Sequence, residues 1–352
     1  MNWKGERVLV TGHTGFKGAW LAALLEHRGA HVSGLSLPPV AGGAFDAFSS
    51  TWSVDSTIGD IRDEATIKRI VVDRGPSVVF HLAAQALVGP SYADPVGTYV
   101  TNVVGTLNVL RACWDPAAQV RAVIVVTSDK VYANDGEGVP FRETDHLGGH
   151  DPYSSSKACV ELAVASWRAS FPSHGGLVAP ALATARAGNV VGGGDVTRGR
   201  LVPDVIEAWL AGAPVVLRHP QATRPWQHVL DPVHGYIRYA EDLLSGGEIP
   251  LAMNFGPAEE GISAATVAER MLEVLGGGTW IAAGGEQLVE AQALTIDARL
   301  ARERLGWSAR IDLETALRWT ADWALATRHG DLASAASIGH DQISAFDAMI
   351  GS

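Results

Sequence analysis

The sequence predicts a doubly wound α/β fold: a parallel sheet covered by helices on both faces, followed by a smaller, interleaved C-terminal part. Three observations carry this. Short, continuous apolar runs at Arg7–Thr11, Val78–Leu82 and Arg121–Thr127 read as strands buried on both faces. Amphipathic stretches alternate with them through the first half of the chain. A glycine-rich turn joins the first strand directly to the first helix.

Taken in order, the strand Arg7–Thr11 is followed by a helix over Phe16–Arg28 that stops near Gly29. His31–Leu35 is the second strand, and a loop carrying Pro38, Pro39, Gly42 and Gly43 follows it. A short strand near Ser56–Gly59 precedes a helix from about Asp63 to Arg74, closed by Gly75-Pro76. A helix from about Pro95 to Trp114 separates the two remaining strong strands. A long helix then starts at Pro152, a residue favoured in a first turn, and reaches about Phe171.

Past Arg186 the texture changes, with Gly192–Gly194 and Pro203, Pro214, Pro220 and Pro225 between shorter elements. Helices are expected at about Leu201–Leu210, Ser263–Leu275 and Leu313–Arg328, and the stretch Ala324–Ile338 as a helix end and linker. The expected division is a dinucleotide-binding domain of residues 1–187 plus about 229–250. A substrate domain of 188–228 and 251–352 interleaves with it.

Composition narrows the function classes. The chain has 352 residues, 47 % of them hydrophobic and 18 % charged, which fits a folded globular protein. A net charge of -11 repels polyphosphate at long range and argues against nucleic-acid binding. Cys113 and Cys159, each in a helix-like pattern, resemble neither a disulfide framework nor a metal pair. No apolar run approaches the roughly 18 residues needed to span a bilayer. A cytoplasmic protein without membrane, nucleic-acid or metal partners is the expectation.

The turn Thr11-Gly12-His13-Thr14-Gly15-Phe16-Lys17-Gly18 has the chemistry of a dinucleotide cradle. Glycines at Gly12, Gly15 and Gly18 let the backbone turn sharply and approach a pyrophosphate. The free N–H groups of the helix start then favour the phosphates. An acidic residue usually holds the adenosine ribose about 20 positions on. Here the second strand ends Gly34-Leu35-Ser36-Leu37, without a carboxylate, which leaves NAD against NADP open. Lys17 either neutralises a 2′-phosphate or is a solvated lysine of the first turn.

Tyr153 and Lys157 stand four apart on the long helix and therefore share a face. A neighbouring ammonium favours phenolate, so Tyr153 is expected to be a base with a lowered pKa. Thr127 and Ser128 close the preceding strand, at the sheet edge where open α/β folds bind ligands. Asp129 and Lys130 add an acid and a base candidate beside the pair. Ketone reduction or 4-epimerisation needs neither, whereas elimination of water needs both. A protonated Asp129 and a neutral Lys130 would serve if burial raises the first pKa and lowers the second.

The turn's Gly-x-x-Gly-x-x-Gly spacing resembles that of the extended short-chain dehydrogenase/reductases, and the chain as a whole resembles their CDP-glucose 4,6-dehydratases. The resemblance rests on Gly12–Gly18 (GHTGFKG), Gly59–Asp63 (GDIRD), His81–Gln85 (HLAAQ), Thr127–Lys130 (TSDK) and Leu147–Lys157 (LGGHDPYSSSK). It continues through Arg186–Asp195 (RAGNVVGGGD), Arg200–Asp204 (RLVPD), Arg224–Val229 (RPWQHV), Leu305–Trp307 and Trp319–Trp323. The related dTDP-glucose enzymes carry Thr-Asp-Glu where this chain has Ser128-Asp129-Lys130.

The resemblance implies a Rossmann-type fold, a tightly held NAD, a CDP-hexose substrate and a homodimer built on the helices Pro95–Trp114 and Pro152–Phe171. It implies that Thr14, Phe16, Ser36, Asp60, Ile61, Leu82, Ala83, Ala84, Gln85, Asn102 and Thr127 join the glycines around the cofactor. Tyr153 becomes the base for the C4 hydroxyl, Lys157 its partner and a ribose ligand, and Ser128 a donor to the C4 oxygen. Asp129 and Lys130 serve the elimination. Gln85, Asn189, Arg200, Leu201 and Arg224 line the substrate side, Arg224 by bidentate contact with phosphate, while Gln227 and His228 either line the same wall or brace the loop. Two positions depart from the pattern: Val131 stands where a cysteine is expected, and Val196 where a tryptophan is usual. A nucleotide-sugar 4-epimerase, a dehydratase for another nucleotide hexose, and an inactive cofactor-binding regulator are the alternatives.

Overall fold

A computed structural model describes residues 2–173, 178–257, 261–284 and 293–351. Seven parallel strands form the central sheet. They are β1 (Arg7–Thr11), β2 (His31–Ser36), β3 (Asp55–Ile58), β4 (Val78–His81), β5 (Ala122–Val126), β6 (Ala181–Ala187) and β7 (Ala252–Phe255). Their spatial order is β7-β6-β5-β4-β1-β2-β3, so the sheet winds outward in both directions from β1 and β4. This is the predicted doubly wound, Rossmann-type fold.

The apolar runs explain why the sheet is covered twice. Successive strand side chains point to opposite faces. Val8 and Val10 of β1 enter one core while Leu9 enters the other; Ile124 and Val123 of β5 divide in the same way. The helices α1 (Phe16–His27) and α2 (Ala44–Phe48) lie on the first face. The helices α3 (Glu64–Arg74), α4 (Val88–Ala93), α5 (Pro95–Tyr99), α6 (Gly105–Cys113) and α7 (Pro152–Ser170) follow in the chain. Residues of α3, α6 and α7 fill the second core. Asp63, Asp94 and Asp151 cap α3, α5 and α7, each accepting a backbone N–H of the first turn.

The later helices are α8 (Leu201–Leu210), α9 (Leu230–Leu244), α10 (Ala264–Val274), α11 (Arg299–Leu305), α12 (Leu313–Thr327) and α13 (Leu332–Gly351). Val205, Val233, Val267, Leu317 and Trp323 join the first core, so the C-terminal part packs on the sheet through one continuous apolar layer. Three short strand pairs organise its loops. Val190–Val191 pairs with Gln227–His228, Thr223–Arg224 with Ile262–Ser263, and Val215–Leu217 with Trp280–Ala282.

Three expectations are corrected. Of the stretch Ala324–Ile338 the first residues end α12 and link onward as expected, but from Leu332 it opens α13, twenty residues long. Its Phe346 packs on His234, and Gln342 donates to the Trp319 carbonyl at 3.0 Å. The loop after β2 contains α2, whose Phe48 meets Trp20 and Trp323 edge-on. The helix expected over Pro95–Trp114 is interrupted by a π turn at Val100–Val104. Asn102 and Thr106, four apart, both face inward, where Thr106 Oγ1 bonds the Asn102 carbonyl and pairs with His81 Nε2.

Four imidazoles sealed in this fold set its response to acid. Burial, as the leading cause, holds His13 down at about 4 and His81, His228 and His234 at about 3. Folded values below the unfolded one stabilise the fold above pH ~6.5, and that contribution is lost as pH falls. Asp129, raised by burial, and Asp231, raised to about 7 by burial, act in the opposite sense. Glu143, Asp204 and Asp322, also raised by burial, join these two. Asp60, Asp63, Asp115, Asp312 and Asp331, held low by hydrogen bonds, side with the imidazoles, which makes nine groups against five. The melting temperature is therefore expected to fall as pH drops from ~6.5 to ~4; a constant or rising value would contradict this ordering.

Candidate active site

A cavity of about 690 Å³ opens at the carboxyl ends of the strands, where the β1–α1 turn meets the loops after β4, β5 and β6. At Gly12 the backbone is left-handed, with φ +80°, and a Cβ would stand 2.8 Å from the Ala83 nitrogen. A Cβ on Gly18 would stand 2.1 Å from the Gly12 carbonyl oxygen. Only glycine allows this closeness. Unlike α3 and α7, α1 has no side-chain cap, and its first turn holds no acidic residue. Its free N–H groups therefore face the cavity as an anion site. This cradle fits a dinucleotide pyrophosphate.

Around it stand Thr14, whose hydroxyl pairs with Ser36 Oγ at 2.6 Å and bonds the Leu37 carbonyl, and Asp60 with Ile61 at the end of β3. Leu82, Ala83, Ala84 and Gln85 follow β4 along the cavity wall, with Gly15 and Phe16 opposite. Asp60 is clasped by Arg62 Nε at 2.9 Å, which holds its carboxyl below the usual range.

At the other end of the cavity, β5 delivers Thr127, Ser128, Asp129 and Lys130, and the first turns of α7 deliver Tyr153 and Lys157. Ser128 Oγ donates to Asp129 Oδ1 at 3.0 Å and accepts from the Lys130 amide, which starts a 3-10 turn over Asp129–Val131. Asp129 is 2 % exposed, and its Oδ2 has no hydrogen-bond partner among the described residues. A Cβ at Gly188 would lie 2.9 Å from that oxygen, so the loop after β6 seals it closely. Burial raises the Asp129 pKa, against Lys130, the Ser128 hydrogen bond, Arg224 and Lys17. Lys130 is half-buried.

The Tyr153 phenol differs from the expectation. Burial pushes it up to about 12, aided by Asp129 and Asp151 and opposed by Ser128 and Arg200. The expected lowering by Lys157 does not win, because desolvation of a phenolate at this depth is larger. Lys157 itself is brought down to about 8 by burial, against the Glu161 charge, and its Nζ donates to the Val126 carbonyl at 3.1 Å.

Lys17 is half-buried on the cavity wall. It faces the cavity and is lowered to about 8, by burial first and then by Arg200 and Lys157, against Asp129 and Asp195.

Asn189, Arg200, Leu201 and Arg224 also line the cavity. Arg200 pairs with Asp195 at 3.1 Å, and Arg224 donates to the Thr223 carbonyl. Three expected contacts lie behind the wall instead. Asn102 accepts from the Gln85 amide at 2.8 Å and donates to the Gln85 carbonyl and to Ser156 Oγ, tying the loop after β4 to the catalytic helix. Gln227 is 1 % exposed and donates to the Phe255 carbonyl. His228 is wholly buried between Trp20 and Trp319, and its Nδ1 accepts the Leu230 amide. In the short strand pairing with Val190–Val191, these two residues brace the loop from inside.

Arg62, Asp195, Arg218 and Trp226 line the cavity without having been singled out from sequence. Tyr236 of α9 is another omission: its buried hydroxyl has no partner among the described residues, and Asp129 and Tyr153 both oppose its ionisation. A lone tyrosine in an amphipathic helix carries no motif. Among the described residues no three or more His, Cys, Asp or Glu side chains are grouped to hold a metal. Cys113 and Cys159 are free thiols, and no described helix is long and apolar enough to cross a membrane.

A nicotinamide-type cradle followed by Ser, Tyr and Lys at the sheet edge defines a class, and comparison with known proteins agrees. Residues 8–254 match the model of the NAD dependent epimerase/dehydratase family, and the chain belongs to that family. It is 39 % identical over 335 residues, 94 % of this chain and 93 % of the other, to the CDP-glucose 4,6-dehydratase of Salmonella typhimurium. Two solved structures share the fold. The UDP-glucose-4-epimerase of Stenotrophomonas maltophila, with bound NAD and formylated UDP-arabinopyranose, has a TM-score of 0.78 at 24 % identity, over 92 % of this chain and 99 % of that one. The dTDP-glucose 4,6-dehydratase of Bacillus anthracis, in complex with NAD, has a TM-score of 0.76 at 20 % identity, over 92 % and 98 %.

Proposed function

We propose that this chain is a nucleotide-sugar 4,6-dehydratase, a carbon–oxygen lyase that converts CDP-D-glucose to CDP-4-keto-6-deoxy-D-glucose with NAD as resident cofactor. The observation that carries the reading is Asp129: a sealed carboxyl with one idle oxygen, beside Tyr153 and Lys157. An epimerisation has no use for it. The 39 % identical relative bears the name of this reaction.

Tyr153 takes the proton of the C4 hydroxyl, and Ser128 donates to the C4 oxygen as it becomes a ketone. The ketone acidifies C5–H, which Lys130 removes. Asp129, whose pKa burial raises, gives its proton to the C6 hydroxyl, which leaves as water and leaves a C5–C6 double bond. Lys130 then returns its proton to C5 as C6 is reduced. When bound, the dinucleotide supplies the reversible hydride store between C4 and C6, and its oxidised ring adds the positive charge that the Tyr153 phenolate needs. Gly12, Gly15 and Gly18 hold its pyrophosphate, Ser36 and Asp60 its adenosine end, and Lys157 its ribose. Asn189, Arg200 and Arg224 take the substrate diphosphate.

NAD is favoured over NADP because Lys17 lies among Asp129, Lys157, Asp195 and Arg200 rather than by Ser36. Arg62, the cation beside Asp60, is already paired. A homodimer in the cytoplasm completes the reading. Val96, Val104 and Leu162 expose 71 %, 45 % and 61 % of their surface on adjoining helices, as a four-helix interface would require. A monomer by sedimentation would remove that part. The reaction is tested with CDP-, dTDP-, UDP- and GDP-hexoses and mass analysis. A product one water lighter, from the CDP sugar first, is expected; an isomer of unchanged mass would establish an epimerase instead.

A further inference from the structure

Behind Tyr153 and Lys157 lies a buried ion pair that no proposed step uses. Glu161, one helical turn beyond Lys157 on α7, is 4 % exposed, and Arg186 near the end of β6 is 3 % exposed. Arg186 donates from Nε to Glu161 Oε1 at 3.0 Å and from Nη2 to Oε2 at 2.9 Å. Thr127 Oγ1 donates to the same Oε1 at 2.5 Å, and Thr184 Oγ1 to Oε2 at 2.7 Å. Each carboxylate oxygen therefore holds two donors.

The far side of Arg186 is equally engaged. Its Nη1 donates to Tyr132 OH at 2.9 Å and to the Glu143 carbonyl, and its guanidinium lies 5.1 Å from the Tyr132 ring centre. Tyr132 OH donates in turn to Asn254 Oδ1 of β7 at 2.6 Å. The network joins α7 to the ends of three strands and to the segment that follows Lys130. A buried ion pair is a weak source of stability, because desolvation offsets its attraction. What it holds in place is then the better guide to its role.

We propose that Glu161 is a positioning residue: clamped by Arg186, it fixes the Thr127 strand end that carries Ser128 and Asp129, and it sets the field at Lys157. The inference rests on Lys157 acting as described under the proposed function. The groups that face Lys157 are Tyr153 and Glu161 on its own helix, His81 at the end of β4 and Lys17 on α1. Glu161 is the carboxylate of that set. Burial drives Lys157 toward the neutral amine, and Glu161 is the charge that opposes it.

The test is Glu161→Gln, followed by kcat/KM of dehydration across pH. Removing the carboxylate lowers the pH at which Lys157 loses its proton. The alkaline limb is then expected to move acidward by about one unit. Near pH 8 activity drops about fivefold, approaching tenfold at higher pH, while at a pH of about 6 it approaches that of the parent. If the unpaired arginine prevents folding, Glu161→Gln with Arg186→Gln removes both charges and is expected to give a smaller shift of the same sign.

A second readout does not need turnover: the pH dependence of Lys157 acylation by acetic anhydride, followed by peptide mass analysis. A displaced labelling curve in an enzyme that dehydrates nothing would defeat the dehydratase reading and leave the role of Glu161 standing. A folded variant with the parent pH profile, or with an equal loss at every pH, overturns the proposal.

Discussion

Tyr153→Phe is expected to lower turnover by about 10²- to 10⁴-fold, the range for loss of a positioned general base. The ring is 8 % exposed at the start of α7, so phenylalanine fills the same space. No helix bond is lost, because the Tyr153 amide, which meets Ser91 Oγ at 3.2 Å, is unchanged. The melting temperature is therefore expected to hold, and NAD binding to remain. The hydroxyl alone is removed, and with it the route for the C4 proton. Single-turnover absorbance of the reduced cofactor reads this step directly. A variant that still oxidises C4 at the parent rate would remove Tyr153 from the mechanism and leave Lys130 or a water as the base.

The second large effect separates oxidation from elimination. Lys130→Ala is expected to abolish exchange of the C5 proton with deuterated solvent while sparing single-turnover formation of the reduced cofactor. Asp129→Asn should retain both early steps and stop the loss of water, since an amide cannot protonate the leaving hydroxyl. The physical basis is the contrast at one strand end. Both line the cavity, but Asp129 is almost wholly buried and its pKa is raised, whereas the neighbouring Lys130 is only half-buried. Loss of both oxidation and exchange in a folded Lys130→Ala variant would break this division of roles.

The parts of the site legible in sequence are those set by local chemistry. The strand–turn–helix at Gly12–Gly18 is encoded by residues adjacent in the chain, and the structure places all three glycines on the cavity. Ser128, Asp129, Lys130, Tyr153 and Lys157 converge because β5 ends and α7 begins at the same side of the sheet, a consequence of parallel winding. Gln227 and His228 show the limit. Their neighbour Arg224 faces the cavity, but a two-residue strand pairing with Val190–Val191 turns them inward, and that pairing is long-range. Asn102 sits in a π turn and spends its amide on the Gln85 backbone and Ser156, the structural alternative to a cofactor contact.

The Tyr153 phenol and Lys17 were misjudged for a different reason. Spacing on a helix specifies neighbours, and it leaves out depth. Desolvation is the leading cause at both, raising Tyr153 and lowering a Lys17 that is half-buried against the cavity. The Glu161–Arg186 pair was invisible because its partners lie on three different elements.

The central claim is that hydride leaves C4 and returns to C6 of the same sugar as one water departs. Incubating CDP-glucose deuterated at C4 and locating the label in the product tests it most directly. The account predicts a product one water lighter that carries the deuterium at C6. A product of unchanged mass with the deuterium still at C4, or a dehydrated product whose label has washed out to solvent, would contradict it.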